Sequence, residues 1–110
     1  MTLQIPDETI EGALKALNSS THARAKAAAE FSEKQLKTVL ARLSLCSDAK
    51  TVSDREASAY THPDYQKALE DHRSVSEAYY AARDRRDAAS ALIECWRSLK
   101  ADGRRADRIG

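Results

Sequence analysis

Five cations stand within twelve residues near the end of this 110-residue chain. They are Arg97, Lys100, Arg104, Arg105 and Arg108, diluted by Asp102 and Asp107. The guanidinium group is a planar fork that donates hydrogen bonds in pairs and fits phosphate oxygens. Their spacing of three, four, one and three spreads them over one end of a helix and a tail just past Gly103. A helix C-terminus is the wrong pole of the dipole for phosphate. Any nucleic-acid contact there is expected to be sequence-independent and to follow the backbone. Two other readings stay open. The cations could complement the negative helix pole in solvent, or they could meet an acidic protein surface.

Other residue types that do chemistry are poorly placed for it. His22, His62 and His72 share no metal-ligand spacing with one another or with a carboxylate, so neither metal nor cofactor is expected. His62 reads as a cap before Pro63, and His72 as a member of an apolar seam. Cys46 and Cys95 match no zinc or C-x-x-C pattern. The chain has neither a glycine-rich phosphate loop nor a G-x-S-x-G elbow. Its carboxylates alternate with bases along helix faces, as solvated charges do. No catalytic residue is expected, and the protein reads as a non-enzyme. Trp96, the one tryptophan, reads as a core anchor, with a base-stacking platform as the alternative.

Long helices must position these groups. Apolar residues make up 42% of the chain, but twenty of them are alanine, and there are three Gly and two Pro. Such a composition favours helix over sheet and is too poor in breakers for a sandwich or Rossmann fold. Net charge is +1, distributed as −2 over residues 1–20, +3 over 21–50, −3 over 51–95 and +3 over 96–110. Blocks of this kind suit helices that pair antiparallel or between chains.

A short helix is expected over 6–17, opened by Pro6, Asp7 and Glu8, with Ile10, Leu14 and Leu17 on one stripe. Asn18-Ser19-Ser20-Thr21 should break it. A long helix over 21–45 carries the stripe Ala25, Ala29, Ser32, Leu36, Val39 and Leu43. In the connector, 46–62, Ser53 and Glu56 have capping-box spacing and predict a short helix. Pro63 then opens a helix running to about 102, with 103–110 as a basic tail. Its seam reads Tyr65, Ala68, His72, Val75, Tyr79, Ala82, Arg86, Ala89, Ile93 and Trp96, the three-four rhythm of a coiled coil.

The residues Val52-Ser53-Asp54-Arg55-Glu56-Ala57, Tyr60, His62-Pro63-Asp64-Tyr65 and Trp96-Arg97-Ser98-Leu99 before Arg104-Arg105 resemble a group of small helical phage and prophage proteins. These are encoded in replication and recombination gene cassettes, and the resemblance covers about residues 30–105. It implies a phage origin and an accessory role in DNA recombination or replication, on single strands or on a recombinase or annealing protein. It names no catalytic residue.

The expectation is therefore a single all-α domain, an antiparallel long-helix hairpin with Leu36, Val39 and Leu43 facing Tyr65, Leu69 and Val75. Because the last helix outruns its partner, a second copy is expected to cover the seam at Tyr65, Val75, Tyr79, Ala82, Ile93 and Trp96. The expected function is single-stranded DNA or recombinase binding; the rival is a protein-interaction module, such as a phage inhibitor or assembly adaptor. No apolar leader follows Met1, so the expected location is the cytoplasm, without a membrane partner.

Overall fold

The structure, a computed structural model, describes residues 4–109 and the side chains of 4–107. It is all-α, with no strand among the described residues. The helices are α1 (Asp7–Asn18), α2 (Thr21–Leu45), α3 (Val52–Thr61) and α4 (Pro63–Ile109).

Each boundary has a local cause. The Pro6 carbonyl accepts the Thr9 and Ile10 amides and so opens α1, with Asp7 and Glu8 beside the positive pole. The expected break falls at Ser19, whose backbone is extended and whose hydroxyl accepts the Thr21 amide at 3.1 Å. α3 begins a turn-fraction earlier than the capping-box reading: Thr51, not Ser53, is the cap, accepting the Asp54 amide at 3.2 Å. This start also lets Arg55 Nε donate to the Ala49 carbonyl at 2.7 Å, which ties the connector to its helix. His62 does act as a cap, its Nδ1 accepting the Asp64 amide at 3.0 Å at the entrance to α4.

α4 does not stop at Gly103 but continues to Ile109, so the expected tail is helical. Glycine in a helix interior costs only about 1 kcal/mol relative to alanine, and Ala101, Arg104, Arg105 and Ala106 around it are good helix formers. At 1.5 Å per residue the 47-residue helix is about 70 Å long. Gly103 does not have a positive φ, and a Cβ built there meets nothing within 4 Å. Gly103→Ala is expected to raise helicity and add about 0.5–1 kcal/mol of stability, measured by urea unfolding followed by circular dichroism.

The chain divides into two compact units, Met1–His22 with Ala81–Gly110, and Ala23–Tyr80. In the first, α1 lies on the distal part of α4. Ala13, Ala89 and Ile93 form a buried cluster, with Leu17 and Leu92 packed against it. This corrects two expectations. The packing stripe of α1 runs through Ile10, Ala13 and Leu17, while Leu14 is 45% exposed. The distal seam is also already covered within the chain, since Ala82, Ala89 and Ile93 are buried. An alanine at Ala13 opposite Ala89 lets the two backbones approach, which the larger Leu14 would prevent.

In the second unit, Ala25, Ala29, Ser32, Leu36, Val39 and Leu43 are all half-buried, as their spacing predicts. Tyr65, Ala68, His72, Val75 and Tyr79 are half-buried on the α4 side. Ser32 pairs with His72 and Arg42 with Asp64, so contacts step in opposite senses along the two helices. Leu69 is displaced from the expected face and stands 40% exposed; Ala68 lies with Val39 instead. Ala59 of α3, 1% exposed, is the most buried residue of the core.

Candidate functional site

The polar members of the seam find polar partners. Ser32 Oγ donates to the Ala29 carbonyl at 2.8 Å and stands 2.7 Å from His72 Nδ1. The pair fixes register between the two helices. Arg86, exposed in an otherwise covered seam, reaches His22 with Nη1 at 3.4 Å from Nδ1.

On the outer face of α4, Arg73 bonds both Glu70 and Glu77. The hydrogen bond from Arg73 holds the Glu70 carboxyl below its usual value of 4.5 and raises the guanidinium correspondingly. The helix support this gives is present above the ordinary glutamate pKa and is lost as pH falls through the lowered one.

The basic end is arranged differently. Arg97, Lys100, Arg104 and Arg105 are helical and exposed. Among the described residues none of the four is ion-paired to a carboxylate, in contrast to Arg42, Arg73 and Arg83. At 100° per residue, Arg97, Lys100 and Arg104 fall within about 60° of one another and make a ridge. The side chain of Arg108 lies outside the described residues. Because α4 runs to Ile109, Arg97 sits about three turns inside the negative pole, beyond the last turn where the dipole acts. The expected conflict between dipole and phosphate is accordingly small for Arg97 and Lys100.

Trp96 lies at the edge of the core. It is half-buried and stands apart from the Ala13–Ala89–Ile93 cluster. Its ring borders two open clefts. One, of about 450 Å³, is lined by Ile5, Asp7, Leu99 and Asp107 among others. The second, of about 400 Å³, is lined by Trp96, Arg97, Lys100, Ala101 and Arg104. Lys100 Nζ lies 5.9 Å from the ring centroid. The composition of the chain made a buried tryptophan the natural expectation, and the rhythm of the seam placed Trp96 on it. What the sequence did not display is that only Gln4 and Ile5, ahead of α1, and its first residue Asp7 reach this level, too little to close over an indole.

Among the described residues no group of three or more His, Cys, Asp or Glu could hold a metal ion. Cys46 and Cys95 are both free and exposed. No helix among the described residues is long and apolar enough to cross a membrane. In comparisons with family models, curated proteins and solved structures no match is found, so the functional reading rests on the basic ridge and the indole beside it.

Proposed function

We propose that the protein is a non-enzymatic accessory factor that binds single-stranded DNA through the end of α4, within an oligomer of long-helix hairpins. The observation that carries this reading is the ridge of Arg97, Lys100 and Arg104, with Arg105 beside it, free of carboxylate partners among the described residues. Guanidinium and ammonium groups held on a rigid helix can track a phosphate backbone without reading bases. A role in phage DNA recombination or replication, and an annealing protein or recombinase as partner, follow from the resemblance in the region 30–105. The deciding measurement is binding of a labelled oligonucleotide at two salt concentrations. Phosphate contacts give a steep loss of affinity with salt, and no binding at low salt overturns the reading in favour of a protein-docking module.

The oligomer no longer rests on an open seam, because α1 covers it. It rests on surface. Phe31, Leu45 and Val52 are 67%, 83% and 71% exposed, apolar surface that a second copy would cover. Light scattering at micromolar concentration is expected to return at least twice the 12.2 kDa chain mass; a monomer mass would remove the oligomer from the proposal. Repetition of the basic ridge in an oligomer would add its contacts through avidity.

A further inference from the structure

We infer that the Trp96 indole is a stacking platform for a base of single-stranded DNA, seated in the cleft that Arg97, Lys100, Ala101 and Arg104 complete. This rests on the DNA-binding reading and adds to it a specific contact with the base.

The two clefts beside Trp96 differ in charge. The larger one brings Asp7 and Asp107 next to Lys100 and Arg104, so its lining is electrically balanced. The smaller one has three cations, an indole and an alanine, and no carboxylate. The smaller cleft shares Trp96, Lys100 and Arg104 with the larger and adds Arg97, and an aromatic face beside cations fits a group that is itself flat on one side and anionic on the other. A nucleotide has that form, with the base over the ring and the phosphates at Arg97 and Arg104. Ala101 leaves the volume of a longer side chain open. The cleft is an open groove on the surface of α4, so a base can reach the indole without entering a closed cavity. Duplex DNA keeps its bases stacked inside, so only a single strand can offer one at no cost of unpairing. Stacking on an indole needs no particular base, which agrees with the absence of a rigid hydrogen-bonding frame in the cleft.

Trp96 is the only tryptophan, so its fluorescence reports on this site alone. The experiment titrates the full chain with a dye-labelled oligothymidylate and, separately, with an abasic deoxyribose-phosphate oligomer of equal length. Dye anisotropy follows binding, and indole emission follows stacking. The expected result is saturable quenching by oligothymidylate in step with anisotropy, and little quenching by the abasic oligomer. Base–aromatic stacking of about 1–3 kcal/mol predicts that Trp96→Leu weakens oligothymidylate binding roughly 5- to 150-fold. The same variant should leave abasic affinity unchanged, and Trp96→Phe should recover part of the loss. Binding of both oligomers with equal affinity and no quenching overturns the stacking site while leaving phosphate binding intact. Equal saturable quenching by polyglutamate would show a site for acidic protein segments and overturn the inference. Failure of both oligomers to bind at low salt overturns the inference and the function on which it rests. The quenching measurement uses the unaltered protein, so it decides the matter even if Trp96→Leu folds poorly.

Discussion

Ile93→Ala is expected to lower the stability of this chain by about 2–5 kcal/mol, the range for truncating a buried isoleucine that leaves a cavity. Small domains have about 5–15 kcal/mol in total, so the loss is a large fraction of the whole. The reason lies in the composition of the core. Of the six buried hydrophobic residues among the described ones, Ala13, Ala59, Ala82 and Ala89 are alanines, and only Ile10 and Ile93 are larger. Ile93 is also the member of the α1–α4 cluster with a substantial side chain, so its loss loosens the seat of α1. Leu14→Ala, on the exposed side of the same helix, should cost no more than about 0.5 kcal/mol. Urea unfolding of both variants at one protein concentration checks the pair, since an oligomer makes apparent stability depend on concentration. Equal effects at the two positions would mean that α1 is not seated on Ile93.

The largest effect on binding is expected from changing Arg97, Lys100, Arg104 and Arg105 together to alanine. Four phosphate contacts on a single strand give a slope of about −2.8 in log affinity against log salt, or about a 50-fold loss between 50 and 200 mM. The quadruple variant should lose most of that slope and, at the lower salt, on the order of 100-fold in affinity. Lys34→Ala with Lys37→Ala removes as many as two cations from exposed positions of α2 and should leave binding within twofold. Oligomer mass and helicity are expected to be unchanged in both, because none of these side chains is buried. If the α2 variant weakens binding as much as the α4 variant, the contact is diffuse attraction to any positive surface, and the ridge has no special role.

How much of this was legible beforehand depended on whether the cause was local. The all-α class, the start of α4 at Pro63, the break near Ser19 and the cap at His62 follow from propensity and backbone geometry within a few residues. The seam was legible too, because a three-four rhythm of apolar residues has one structural meaning over ten positions. Nine of its ten members, from Tyr65 to Trp96, are buried or half-buried, and Arg86 alone is exposed. Cap choice was nearly degenerate: Thr51 and Ser53 are both good caps, and the reach of Arg55 to Ala49 favours the earlier one. Gly103 was read as a stop because glycine often ends helices, yet its cost is small enough for the flanking residues to outweigh.

The partner of each face was a different kind of question. Whether Ala13 or Leu14 turns inward depends on how close the α4 backbone comes, and no local spacing contains that distance. That α1 covers Ala89 and Ile93 yet leaves Trp96 at the edge of two clefts depends on where a 12-residue helix ends against a 47-residue one. The periodicity of one helix determines which of its residues avoid water. Only the packed structure decides what they meet, because that choice is made by the shapes and lengths of elements far apart in the chain.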